Sequence, residues 1–138
     1  MKKKICFDLD NTICSTTKNY YRDSKPKKNI IRLINNLDPN KFEIIIFTAR
    51  FMGRYKENAQ KAKSIGFKFT QKQLASWGLR YDKLILGKPS YDIIIDDKSL
   101  GFAQKNVIKF LKKNLKKWPD LVLTWIIKKT LSCGMSFI

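Results

Sequence analysis

Two pairs of aspartates follow apolar runs of this chain and could do chemistry together. Asp8 and Asp10 end the first run, and Asp96 and Asp97 end a run some ninety residues later. Residues i and i+2 of an extended segment point to one face, so Asp8 and Asp10 are predicted to share a face. Taken singly, each aspartate also fits a helix cap or a turn. Gathered together, four carboxylates need a cation, and an oxygen-only donor set without histidine favours Mg²⁺.

Groups that could hold an anion also follow apolar runs. Thr48 offers a hydroxyl and a backbone amide after Phe42–Phe47, and Lys88 offers a positive charge after Lys83–Leu86. Lys88 also fits a solvated turn before a proline. An acidic magnesium site with a hydroxyl and a lysine suits phosphoryl transfer, in which catalysis consists of positioning and charge neutralisation.

The elements that must position these groups alternate between strands and helices. Short apolar runs predict strands, and helical spacing followed by Gly or Pro predicts helices. The predicted strands are Ile5–Leu9, Phe42–Phe47, Lys83–Leu86 and Tyr91–Ile95; the predicted helices are 30–37, 55–65 ending at Gly66, 71–77 and 100–118.

Continuous β-branched strands that alternate with helices predict an α/β fold with a parallel sheet covered by helices on both faces, a three-layer Rossmann-like arrangement. Ligands bind beyond the carboxyl ends of the strands in such sheets. All four polar signatures follow strands, so they are expected to converge on one sheet edge.

Four segments resemble the motifs of the haloacid dehalogenase (HAD) superfamily, in order and spacing. They are Phe-Asp-Leu-Asp-Asn-Thr at 7–12, Ile-Ile-Phe-Thr at 45–48, Lys88, and Ile-Ile-Asp-Asp at 94–97. The resemblance covers roughly residues 4–102. Thr-Ala-Arg at 48–50 and Gly-Lys-Pro-Ser-Tyr-Asp at 87–92 look more specifically like small capless phosphatases of capsule and surface-polysaccharide biosynthesis.

This resemblance implies a role for each motif residue. Asp8 would attack phosphorus and carry the covalent intermediate. Asp10 would protonate the leaving alcohol and then activate water, while its backbone carbonyl binds Mg²⁺. Thr48 and Lys88 would hold the transferring phosphoryl group. The metal ligands would be Asp8, Asp10, Asp96 and Asp97, and the sequence does not say which of the last two binds directly.

Neighbouring residues complete the expected site. Thr12 would brace the loop that carries the acids, and Asn11 stands where glycine is commoner in the superfamily. Ala49, Arg50 and Asn11 join Thr48 and Lys88 as the expected phosphate-binding set. Arg50 fits either a substrate contact or an exposed ion pair.

The spacing leaves no room for a cap domain, so residues 1–138 are expected to form one domain. Its core would span about 4–118, with a flap at about 14–26. The resulting open site suits a large substrate, or is covered by a second subunit of a homo-oligomer. Tyr20 and Tyr21 in the flap could contact a sugar or pack on the sheet edge.

The formal charge of +18 invites a nucleic-acid interpretation, but only five residues are arginine, the residue favoured for base reading and bidentate phosphate binding. The basic helix at about 103–118 fits a solvated face or an anionic membrane surface. The apolar tail at about 119–138 would pack on the core or on a subunit. The absence of paired cysteine spacing predicts reduced thiols and a cytoplasmic protein, and no run reaches transmembrane length.

The predicted function is a magnesium-dependent phosphomonoesterase acting on a sugar or polyol phosphate through an aspartyl-phosphate on Asp8. Two alternatives stay open at this point. One is a polynucleotide end-phosphatase, which the basic charge permits. The other is a non-catalytic binding module that kept the fold.

Overall fold

The structure, a computed structural model, describes residues 1–100. Its strands and helices are β1 (Lys3–Phe7), β2 (Cys14–Ser15), β3 (Lys25–Pro26), α1 (Lys28–Asn35), β4 (Phe42–Thr48), α2 (Ala59–Ser76) and β5 (Lys83–Leu86), with 3₁₀ turns at Tyr21–Asp23 and Gly53–Tyr55. The chain divides into a unit Met1–Asp92, which holds all of these elements, and a second unit that begins at Ile93.

Three parallel strands form the main sheet, in the order β1-β4-β5. Ile5 lies opposite Ile44, and Ile46 lies opposite Leu84. Because every pair is parallel, the residues that follow β1, β4 and β5 emerge at the same edge. The predicted α/β class with a parallel sheet is therefore confirmed.

Alternation along the strands decides which sheet face meets the helices. In β4, Ile44, Ile46 and Thr48 are buried, whereas Ile45 and Phe47 are only half-buried. The buried isoleucines share a core cluster with residues of both α1 and α2, including Ile31, Ile34 and Leu74. Burying a β-branched or leucine side chain in this way contributes about 1.5–3 kcal/mol each.

Helix α2 differs from the prediction of two shorter helices at 55–65 and 71–77. One continuous helix of 18 residues begins after Asn58, whose side chain accepts a hydrogen bond from the Lys61 amide at 2.9 Å. It ends before Gly78, which has φ +67°. Gly66 lies inside the helix and is buried. It does not end the helix; the absence of a side chain there leaves room for the Phe51 ring.

The strand predicted at Tyr91–Ile95 is also wrong. Residues 91–95 form no strand, and the side chains of Ile93, Ile94 and Ile95 are about half exposed. An apolar run expresses a preference for burial, whereas a strand also requires a neighbouring backbone to pair with. These isoleucines have no such ladder within the described part of the chain.

Residues 14–26 form a hairpin, called the flap below. Its strands β2 and β3 pair antiparallel, with Cys14 opposite Pro26, and the Tyr21–Asp23 turn lies between them. The predicted basic helix and apolar tail lie outside the described residues. No helix within residues 1–100 is long and apolar enough to cross a bilayer.

Candidate active site

A cleft of about 310 Å³ opens at the carboxyl edge of the sheet. It draws on the loops that follow all three strands and on the flap. Its lining consists of Asp8, Asp10, Lys18, Asn19, Tyr21, Ala49, Arg50, Gly53, Lys88, Pro89, Ser90 and Tyr91. The structure thus gathers residues that are separated by as many as 83 positions in sequence.

Asp8 is the first residue after β1. Its Oδ1 accepts a hydrogen bond from Lys88 Nζ at 2.9 Å, and its Oδ2 accepts one from Thr12 Oγ1 at 3.2 Å. About a third of the Asp8 side chain stays exposed to solvent. The carboxylate is therefore both fixed in orientation and reachable from the cleft.

Lys88 is buried, and its backbone amide donates to the Thr48 carbonyl at 3.3 Å. The ammonium lies 4.8 Å from the ring centroid of Tyr91. Burial by itself lowers the pKa of Lys88, but interactions with Tyr91 and Asp8 outweigh it and leave that pKa raised. The raised pKa favours the charged form of Lys88, and its burial against Asp8 excludes the solvated-turn interpretation.

Asp10 is held by the guanidinium of Arg50. Arg50 Nε donates to Oδ2 at 2.9 Å and to Oδ1 at 3.1 Å, and Nη2 donates to Oδ1 at 2.9 Å. Thr16 Oγ1 adds a bond to Oδ1 at 2.6 Å. A planar fork on a carboxylate gives short, charge-assisted bonds with a defined orientation.

The Arg50 side chain is fully buried, whereas its partner Asp10 is partly exposed. Of the two interpretations that the sequence left open for Arg50, the exposed ion pair is therefore wrong. The remaining donors of Arg50 reach Gln73 Oε1 at 2.6 Å and Ser24 Oγ at 3.3 Å. Its guanidinium carbon lies 5.0 Å from the ring centroid of Tyr21. Burial requires such partners, because an unpaired charge in the interior is costly.

Thr48 lies beneath the cleft rather than on its surface. It is buried, its Oγ1 accepts the Arg50 amide at 3.2 Å, and it is 3.5 Å from Asp10 Oδ2. Ala49 lines the cleft beside it. The predicted role of Thr48 as a phosphoryl ligand stays a prediction.

The backbone conformation of Asn11 shows why glycine would also fit at this position of the loop after β1. Its φ is +65°, a left-handed conformation that glycine adopts freely and that asparagine tolerates better than most residues. Its Oδ1 accepts the Thr16 amide at 3.1 Å, and its carbonyl accepts Lys27 Nζ at 2.6 Å. These bonds fix the loop between Asp10 and the flap.

Asp96 and Asp97 belong to the unit that begins at Ile93, which is described by itself. Asp96 Oδ1 accepts the Lys98 amide at 2.7 Å, and its carbonyl accepts Ser99 Oγ at 2.8 Å. This is a turn stabilised by an aspartate. Within residues 1–100 no group of three or more carboxylates, thiols or imidazoles is gathered closely enough to hold a metal ion. The four-carboxylate magnesium site stays a prediction.

Sequence reasoning did not find Thr16, Gln73 and Lys18. Thr16 lay in a polar run without periodicity, and Gln73 faced inward from a helix that was predicted as two pieces. Lys18 lines the cleft with a left-handed backbone (φ +50°). A positive φ at a residue other than Gly, Asn or Asp has no sequence signal.

Comparison with known proteins gives one informative match. A Vibrio cholerae protein, solved by crystallography as an MCSG target, is 27% identical with a TM-score of 0.65; the match covers 83% of this chain and 100% of that one. No protein-family model and no curated protein matches the chain. The likeness supports the overall α/β fold.

Proposed function

We propose that this chain is a magnesium-dependent phosphomonoesterase of the HAD type, with Asp8 as the nucleophile. The observation that carries the proposal is the placement of Asp8. It is a partly exposed carboxylate at a cleft, with Lys88 bonded to one oxygen and the Asp10–Arg50 pair lining the same cleft. A nucleophile, a proton donor and a phosphate-binding cation are the parts that phosphoryl transfer through an aspartyl-phosphate requires.

The reaction can be written with the residues of the cleft. An Asp8 oxygen forms a bond to phosphorus while the bond from phosphorus to the ester oxygen breaks. Asp10 gives a proton to the departing alkoxide, which leaves as an alcohol. Water then attacks the phosphorus of the aspartyl-phosphate and gives a proton to Asp10, while the bond between phosphorus and the Asp8 oxygen breaks. Inorganic phosphate leaves and the Asp8 carboxylate is restored.

The charge in the cleft favours an anionic substrate. Lys18, Arg50 and Lys88 are set against Asp8 and Asp10, which leaves one net positive charge. Arg50 and Lys88 are paired with the two aspartates, and Lys18 has no acidic partner within residues 1–100. A phosphomonoester dianion would be attracted to this net positive charge.

The donors at the cleft suit Mg²⁺, because the acidic groups there are carboxylates and the chain contains no histidine. Asp8 and Asp10 would hold the ion in the unit Met1–Asp92; the further ligand expected from the sequence, Asp96 or Asp97, belongs to the unit that begins at Ile93, which is described by itself. When bound, the ion would neutralise the oxygens of the phosphoryl group.

The open cleft, without an intervening domain between β1 and β4, fits a sugar or polyol phosphate. The test is phosphate release from an aryl phosphate and from a panel of sugar and polyol phosphates, with Mg²⁺ and with excess chelator. A 3′-phosphorylated oligonucleotide belongs in the panel. Activity on it alone, with a steep salt dependence, would indicate a polynucleotide end-phosphatase instead.

Asp8→Asn should reduce turnover by at least about 10³-fold, because the amide cannot form the covalent intermediate. Asp38→Asn is the matched control, since Asp38 makes only a turn bond to Asn40 and a weak pair with Lys41 before β4. Activity that survives Asp8→Asn, or that persists in excess chelator, would refute the proposal.

A further inference from the structure

We propose that Arg50 is a positioning residue for Asp10, holding its carboxylate so that Oδ2 carries the transferred proton, and that Arg50 does not contact substrate. This inference rests on the proposed phosphatase function and adds a role that the sequence resemblance did not supply. It replaces the expected substrate contact of Arg50.

Burial separates Arg50 from the substrate. None of its side chain is exposed, whereas about a fifth of the Asp10 side chain is. A molecule in the cleft can therefore touch the Asp10 carboxylate, whereas the Arg50 guanidinium, although Arg50 belongs to the cleft lining, exposes no surface to solvent. The guanidinium acts on the reaction only through Asp10.

Two parts of the fold, α2 and the flap, hold the guanidinium in place. Gln73 of α2 accepts from Nη1 at 2.6 Å, Ser24 of the flap accepts from Nη2 at 3.3 Å, and Tyr21 lies under the guanidinium plane. Gln73 is itself fixed, since its Nε2 donates to the Tyr21 carbonyl at 2.7 Å.

The backbone beside Arg50 is constrained as well. Phe51 has φ +68°, which is a strained conformation for a bulky residue. Its amide donates to Tyr21 Oη at 3.3 Å, and its ring packs against those of Tyr21 and Phe69. Strain of this kind persists where the surrounding contacts over-determine the conformation, often at functional sites.

The contacts to Asp10 distinguish its two oxygens. Oδ1 accepts from Arg50 Nε and Nη2 and from Thr16 Oγ1, all within 3.1 Å. Oδ2 accepts one short bond, from Arg50 Nε, and a long one from Thr48 at 3.5 Å. Oδ1 thus accepts three bonds within 3.1 Å and Oδ2 accepts one, so Oδ2 is the less engaged oxygen and the one better placed to carry a proton.

The fork therefore fixes both the direction of the carboxylate and the oxygen that reacts. Proton transfer needs a heavy-atom distance of about 2.6–3.2 Å, so a carboxylate that swings away from its position loses the reaction. Arg50→Lys keeps the positive charge but removes the planar fork, because an ammonium is a point charge on a flexible chain.

The experiment compares two leaving groups. A p-nitrophenolate leaves without a proton, whereas an alkoxide, as from glycerol phosphate, needs one from Asp10. The comparison is made in a single turnover that follows the first step alone, because the second step also uses Asp10 and is common to both substrates. For Arg50→Lys, the rate of alcohol release from the alkyl phosphate should fall about 10²-fold, with a fall below about 10-fold for p-nitrophenolate release and KM for both within about 3-fold. Gln73→Met, which removes the acceptor behind Arg50, should give a smaller loss with the same preference.

Arg80→Lys is the matched control, since Arg80 also donates to backbone carbonyls, at Ile34 and Leu37, but lies before β5 at the opposite sheet edge. It should change thermal stability without changing the ratio of the two substrates. If Arg50→Lys does not fold, Gln73→Met decides the question.

Each remaining outcome has a separate meaning. An equal loss on both substrates in the first step, or a loss seen mainly in KM, would overturn the positioning role and make Arg50 a structural or substrate-binding residue. A wild-type protein that releases phosphate from neither substrate would refute the proposed function itself.

Discussion

Gly66 lies inside α2, where alanine normally stabilises a helix, yet we expect Gly66→Ala to destabilise this protein. A Cβ atom at Gly66 would lie 2.3 Å from Phe51 Cδ2, 2.6 Å from Phe51 Cε2 and 3.0 Å from Leu86 Cδ2. The Phe51 ring cannot simply turn away, because it is buried between Tyr21 and Phe69.

The magnitude follows from two opposing effects. Alanine in place of glycine favours a helix interior by about 0.5–1 kcal/mol. Overpacking a well-packed core costs about 1–3 kcal/mol. Because contacts of 2.3 and 2.6 Å force a shift, the upper part of that cost, about 2–3 kcal/mol, applies. The expected net loss is then about 1–2.5 kcal/mol, which corresponds to a fall in Tm of roughly 3–9 °C for a chain of this size.

Thermal unfolding followed by circular dichroism measures the change. Gly53→Ala is the matched control, since no atom lies within 4 Å of a Cβ built there and its φ is not positive. We expect this control to be neutral or stabilised by up to about 1 kcal/mol. The combined variant Gly66→Ala with Phe51→Leu should be more stable than the sum of the two single changes, because the collision is relieved.

A Gly66→Ala protein as stable as the wild type, or more stable, would refute the reasoning. It would mean that Gly66 is not a packing contact for Phe51. If the losses of stability in the combined variant were strictly additive, the destabilisation by Gly66→Ala would come from a contact other than the one with the Phe51 ring.

Two further predictions concern titratable groups. The raised pKa of Lys88 means that its contribution to stability is fully present below the unfolded pKa of about 10.4 and is lost as pH rises through the higher folded value. The unfolding free energies of wild type and Lys88→Met, measured by denaturant melts, should therefore differ most at neutral pH and converge in strong alkali. A difference between them that does not change with pH would contradict this prediction. Burial raises the pKa of the Cys14 thiol, so Cys14 should react with iodoacetamide more slowly than the exposed Cys6 in native protein. Peptide mapping by mass spectrometry would show equal rates only in denaturant, and equal rates in native buffer would contradict the assignment.

The sheet and its functional edge could be predicted because their signals are local. Phe42–Thr48 is an apolar, isoleucine-rich run, and Thr48 stands directly at its end. Once the strands are parallel, the positions of Asp8, Thr48 and Lys88 at one edge follow from geometry. The same reasoning placed α1 within two residues of its observed bounds.

Gly66 could not be interpreted correctly from sequence. A glycine ends a helix when the chain turns there, and continues it when a neighbour needs the space of the missing side chain. The neighbour here is Phe51, fifteen residues earlier, on a loop with a left-handed backbone. No residue near Gly66 in the sequence indicates its contact with Phe51.

Arg50 presents the same difficulty at the site. Its partners Asp10 and Gln73 are forty and twenty-three residues away. Arginine is mostly exposed in proteins, and the sequence left a substrate contact and an exposed ion pair as alternatives for Arg50. Only the tertiary structure shows that the guanidinium is fully buried against the Asp10 carboxylate.

The hydrogen bonds of the flap couple the opening of this hairpin to the position of the Asp10 carboxylate. Thr16 and Ser24 bind the same ion pair that holds Asp10, and Thr16 Oγ1 lies 2.7 Å from Ser24 Oγ. Local opening of the hairpin therefore breaks bonds to both Asp10 and Arg50 at once. Amide hydrogen exchange in residues 14–26 would report the same opening equilibrium that sets the fraction of molecules with an ordered Asp10.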